Sequence, residues 1–140
     1  MKRKKQFILV AFLIFTWPFA GSLYAENINW YSYDKGIAIA KHENKRIFLH
    51  FYADWCYYCK KMDNETFKDN KVIEYLNKNF VSIRLNADKE KKITKKYGYR
   101  GLPFNWFLAS NGEPFGNFPG YFPPEKFIKF LIKAKEHKDE

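Results

Sequence analysis

The sequence predicts an α/β fold, a central mixed β-sheet flanked by helices. Short apolar runs that suit buried strands alternate with segments of helical periodicity. A long helical segment separates the first two strand-like runs, as a crossover between parallel strands requires. Near the C-terminus an Asn-Gly turn joins two further runs as an antiparallel hairpin.

The elements follow in order. Tyr33, Ile37 and Ala40 recur at helical spacing and predict a helix over 32–43, ended by Asn44. Ile47–Tyr52 is short and almost wholly apolar, which suits a strand buried on both faces. From Cys56 to Asn79 the pattern is helical in two pieces. Asp69 caps the second, where Val72, Ile73, Leu76 and Phe80 share a face. Val81, Ile83 and Leu85 alternate as a strand does. Lys91–Tyr97 forms a short helix closed by Gly98, and Phe104–Ala109 a further strand. Asn111-Gly112 turns the chain into a partner strand over 115–118. Pro123-Pro124-Glu125 opens a last helix, with Phe127, Phe130, Leu131 and Ala134 on its core face. The expected order is α-β-α-β-α-β-β-α.

A length of 140 residues suits one domain, and 46% hydrophobic residues exclude wholesale disorder. The net charge of +10 is concentrated at one end: Lys2, Arg3, Lys4 and Lys5 supply four of the charges, and no acid precedes Glu26. Without the first 25 residues the net is +6, spread over what read as solvated helix faces, which disfavours nucleic acid as a partner. The basic start, the apolar run Phe7–Phe15 and the small residues around Ala20–Ser22 and at Ala25 form an export signal. The segment is either cleaved or, if the apolar run extends, retained as an anchor. The expected division is therefore 1–25 as signal and 26–140 as one exported domain. Membrane contact is expected only through the N-terminal segment, if uncleaved.

Cys56 and Cys59 are the only cysteines. A bridge across two intervening residues closes a tiny loop and constrains little of the unfolded chain, so redox chemistry explains the pair better than stability does. Cys56 would stand at a helix N-terminus, where free N–H groups favour a thiolate. Cys59 would lie one turn on, placed to resolve a mixed disulfide. A structural zinc site, copper handling and an inert disulfide are the competing readings. The two cysteines, with His42, His50 and His137, make a poor zinc set.

The stretch Phe51–Lys60 resembles the active-site segment of thioredoxins, and Lys96–Pro103 resembles the segment that carries their cis-proline. The likeness extends to the C-terminal periplasmic domain of the DsbD thiol–disulfide interchange family. Its motifs are matched by Tyr52-Ala53-Asp54-Trp55-Cys56, by Thr66-Phe67-Lys68-Asp69-Asn70-Lys71-Val72, by Gly101-Leu102-Pro103 and by Gly120-Tyr121, in order over about 29–135. The resemblance implies a thioredoxin-like fold and a protein-disulfide oxidoreductase needing no metal or organic cofactor. It implies a periplasmic or otherwise exported location and protein or peptide thiols and disulfides as partners. A membrane thiol reductase would be the electron donor. It also implies that Pro103 is the cis-proline beside the redox pair, and that Leu102 offers backbone groups to a bound peptide.

One position departs from the family. His50 stands where thioredoxins and DsbD carry a buried Asp that assists proton movement at the second cysteine. It reads either as a replacement acid/base or as a neutral core histidine bonded to a neighbour. Arg84 takes the place of a nearby Lys, and its charge cannot be switched off. Trp55, Tyr57 and Tyr58 surround the thiols and could form an apolar platform for a client. The expected reaction is dithiol–disulfide exchange, in the reducing direction. Disulfide donation, or a non-catalytic module that handles copper or docks a partner, stand as alternatives.

Overall fold

The computed structural model describes residues 27–138. The expected export signal, residues 1–25, lies outside them. Within the described residues are β1 (Trp30–Tyr31), α1 (Tyr33–Glu43), β2 (Arg46–Tyr52), α2 (Tyr57–Asn64) and α3 (Asn70–Asn79). There follow β3 (Phe80–Asn86), α4 (Lys91–Tyr97), β4 (Phe104–Leu108), β5 (Pro114–Pro119) and α5 (Pro124–Glu136), with a single 3-10 turn at Thr66–Lys68 between α2 and α3. The sheet order is β1-β3-β2-β4-β5. β2 runs parallel to β3 and antiparallel to β4, so the sheet is mixed.

β2 is the centre of this arrangement, and its sequence explains why. Ile47, Leu49 and Phe51 point to one face, where they pack with Val81, Ile83, Leu85, Phe104 and Leu108 beneath α1 and α4. Phe48 points to the other, into a cluster with Met62, Phe67, Leu76, Phe107, Phe127 and Leu131 beneath α3 and α5. A strand covered on both sides needs apolar residues in both alternations.

The helix ends follow their residues. Asn44 adopts a left-handed conformation (φ 50°) and closes α1. The Asp69 carboxylate accepts the Lys71 and Val72 amides at 3.0 Å each, filling two of the free donors at the start of α3. Pro124 occupies the first turn of α5, where its missing N–H costs nothing.

One element escaped the sequence. β1 is two residues long, and it adds a parallel edge strand through Trp30↔Ser82 and Tyr31↔Ile83, so the order begins β-α rather than α. Two residues carry no periodicity. The strand exists because β3 offers it a free edge.

Candidate active site

Cys56 is the N-cap residue of α2, directly after the strand–loop transition at the C-terminal end of β2. It is joined to Cys59 by a disulfide with Cα atoms 5.3 Å apart. The Cys59 amide donates to Cys56 Sγ at 3.2 Å. A sulfur that receives a helix N-terminal N–H is a sulfur whose negative charge is stabilised when the bond opens. Both cysteines are nearly buried, Cys59 (1% exposed) more than Cys56 (4%).

The fold brings the Gly101-Leu102-Pro103 segment to this pair. Leu102 packs against the cluster of Ala53, Cys56 and Cys59. The Leu102–Pro103 peptide is cis, and Pro103 is buried, its carbonyl accepting the Gly120 amide at 2.8 Å. Trp55, Tyr57 and Tyr58 are 70%, 71% and 55% exposed around the disulfide. Trp55 is oriented by an indole N–H bond to Asp88 at 2.9 Å. Tyr57 and Tyr58 meet edge to face at 5.3 Å.

His50 lies in the middle of β2 and is fully buried. Its Nδ1 is 2.8 Å from Asn105 Oδ1. The Asn105 amide nitrogen donates to the Phe118 carbonyl, which turns Oδ1 toward the histidine. Nδ1 therefore carries the proton. Nε2 is a bare lone pair without a hydrogen-bond partner. The ring sits edge-on to Phe67 at 5.0 Å, stacks near Tyr52 and Phe48, and lies tilted to Trp30 at 6.0 Å. Burial lowers its pKa to about 4; the Asn105 bond opposes the shift, and the Arg84 charge adds to it. His50 is neutral at pH 7.

A cleft of about 320 Å³ opens beside Cys59, lined by Tyr52, Ala53, Asp54, Lys60, Asp63 and Arg84. Arg84 forks onto Asp63 with bonds of 2.8 and 2.7 Å, and its guanidinium lies 4.1 Å over the Tyr52 ring. His50 does not line this cleft; Asp63 does. Sequence reasoning passed over Asp63. The available signal was its spacing, four residues after Cys59 and so on the same face of a helix. Among the described residues no group of three or more His, Cys, Asp or Glu is placed to hold a metal ion.

The comparisons with known proteins agree with this geometry. Residues 33–135 match the family model described as a thioredoxin-like domain. Spermatogenesis-associated protein 20 of Rattus norvegicus is 32% identical over 107 residues, covering 70% of this chain and 13% of that protein. The thiol:disulfide interchange protein DsbD of Photorhabdus laumondii is 29% identical over 108 residues, covering 74% of this chain and 18% of its own length. The chain thus spans less than a fifth of either relative. The germline-specific thioredoxin Deadhead of Drosophila melanogaster superposes with a TM-score of 0.61 at 31% identity, covering 72% of this chain and 90% of Deadhead. The chain belongs to the thioredoxin-like domain family, as a member that keeps the Cys-x-x-Cys pair of a disulfide oxidoreductase.

Proposed function

We propose that the protein exchanges disulfides with exported proteins, acting as a reductase. The observation that carries this is the Cys56–Cys59 disulfide at the start of α2, with exposed aromatic side chains around it and Leu102 packed against it. In the reduced protein the Cys56 thiolate attacks one sulfur of a client disulfide. The client S–S bond breaks, one client thiolate leaves and takes up a proton, and a mixed disulfide forms. Cys59 then loses its proton and attacks Cys56 Sγ. The mixed disulfide breaks, the second client thiol is released, and the Cys56–Cys59 bond forms. Two electrons pass from protein to client. Asp63, which lines the Cys59 cleft and is held there by Arg84, is the group suited to carry the Cys59 proton to solvent. Leu102 offers the client its backbone groups beside Pro103.

The segment 1–25 exports the domain 26–140, and a membrane thiol reductase returns electrons to the oxidised pair. These readings rest on the charge and hydropathy of the N-terminus and on the likeness to DsbD. Reduction of insulin by the protein, abolished by Cys56→Ser, tests the activity. Equilibration with glutathione tests the direction. A potential of about −220 mV or lower fits a reductase, and one near about −120 mV sinks the reducing direction in favour of disulfide donation.

A further inference from the structure

Four of the most exposed large hydrophobic side chains, Trp55, Tyr57, Tyr58 and Tyr99, lie in the two segments that bracket the disulfide, residues 55–58 and 98–103. The charges between and around them are unevenly paired. Four acids of this surface already face a cation or a donor. Asp54 faces Lys89 at 3.7 Å, Asp63 holds Arg84, Asp88 accepts from Trp55, and Glu65 accepts from the Tyr121 hydroxyl. The cations are not matched in the same way. Among the described residues Lys60, Lys91, Lys95 and Arg100 have no acidic partner.

One of these four lines the cleft at the disulfide, and the other three line grooves at Tyr99, in the segment that leads to Leu102. Lys60 lines the cleft at Cys59. Lys91 and Lys95, one turn apart on α4, line a cleft of about 430 Å³ together with Asp88, the residue that orients Trp55. Tyr99 lines that cleft as well. It also lines, with Arg100, a groove of about 500 Å³ that runs over Phe104 and Trp106. These last two grooves meet at Tyr99, three residues before Leu102.

We propose that this surface selects acidic clients: polypeptides whose cystine is flanked by Asp or Glu, with an aromatic or aliphatic side chain close to the sulfur. The proposal rests on the oxidoreductase reading and adds the client's chemistry to it. The aromatics supply area that any apolar segment can use. The four unpaired cations supply discrimination, because a lysine or arginine set against them raises the encounter barrier while a carboxylate lowers it. An exposed ion pair is worth a factor of up to about five in affinity, so a few of them together give a preference of about tenfold or more.

The test uses two peptides with the same internal disulfide and the same apolar neighbours, one flanked by Asp and Glu, the other by Lys and Arg. Full-length protein is reduced, freed of reductant, and mixed with each in single-turnover experiments. The expected result is that the acidic peptide is reduced about tenfold faster at 20 mM salt. The gap should close to about threefold or less at 300 mM, where the screening length falls well below 10 Å. In the K60E/K91E/K95E/R100E variant, whose changes are all on exposed side chains, the order of the two peptides should reverse. Equal rates for both peptides at low salt, or a faster basic peptide, overturn the inference alone. If neither peptide is reduced while dithiothreitol reduces both, the oxidoreductase reading falls and the inference with it.

Discussion

His50 makes the acid side of the stability curve predictable. The ring titrates at about 4 in the folded protein, against 6.5 for an ordinary histidine. A lowered folded value means that the unfolded chain binds the proton more readily. The stability at stake is complete above pH 6.5 and is lost as pH falls through the window from 6.5 to 4. A tenfold difference in proton affinity is about 1.4 kcal/mol, so full protonation costs about 3 kcal/mol, of which about 2 kcal/mol is lost by pH 5. That is a large part of a typical domain's net stability of about 5–15 kcal/mol.

The perturbation is His50→Asn, which keeps an N–H donor near Asn105 Oδ1 and removes the titration. Urea unfolding of the oxidised protein, followed by tryptophan fluorescence, is measured at pH 7.5 and pH 5.0 for both proteins. The variant should be less stable at pH 7.5, because the space between Phe67, Phe48 and Trp30 is incompletely filled. Its further loss on going to pH 5.0 should be smaller than the wild type's by about 2 kcal/mol. Carboxylates elsewhere titrate in both proteins and cancel in the difference. An equal drop in the two proteins would refute the reasoning, since it would mean that the folded ring takes up its proton as easily as the unfolded one. The same variant separates the two roles open to His50. A changed pH profile of disulfide exchange supports the acid/base role, and an unchanged profile with lower stability supports a core role.

Asp63→Asn should slow the resolving step on the order of tenfold at pH 7 in single-turnover reduction of a peptide disulfide, with the deficit shrinking toward pH 9 as solvent base takes over. Gly36→Ala should destabilise by about 1–3 kcal/mol despite the gain in helix propensity, because the added Cβ would overlap Ile83 Cγ1 and lie 2.5 Å from its Cδ1. In a double-mutant cycle with Ile83→Ala, measured by urea unfolding, the two losses should be less than additive. Asp69→Ala should cost about 1 kcal/mol by the same assay, since it frees the Lys71 and Val72 amides.

What could be read from the sequence, and what could not, follows from how local the signal was. Strands such as Ile47–Tyr52 announce themselves because a buried strand must be apolar in both alternations, and helices such as α3 because Asp69 caps a regular apolar stripe. The helix start at Cys56 was legible from its place directly after a buried strand. β1 was not, since its cause is an edge of β3 far away in sequence. Asp63 was hidden for a related reason. Its partner Arg84 comes from another strand, and only the packing of α2 against the sheet brings them to one cleft. For His50 the position was readable but the proton was not. That depends on Asn105, which the β2–β4 register places directly opposite.

The same register explains how the site divides its polar groups. Arg84, His50 and Asn105 are partners across three adjacent strands and form one row through the middle of the sheet. At one end of the row Asn105 is tied to the Phe118 carbonyl, and at the other Arg84 reaches Asp63. A charge at the centre of that row would be buried and, if positive, would face the arginine directly. Histidine meets both conditions by staying neutral, which its lowered pKa records. The row's permanent charges are thereby confined to the Arg84–Asp63 end, the end that borders Cys59. A carboxylate at position 50, as in the thioredoxins that the chain resembles, would compete with Asp63 for the same guanidinium. With histidine there, Asp63 has Arg84 to itself, as an ion pair in the Cys59 cleft that solvent can reach.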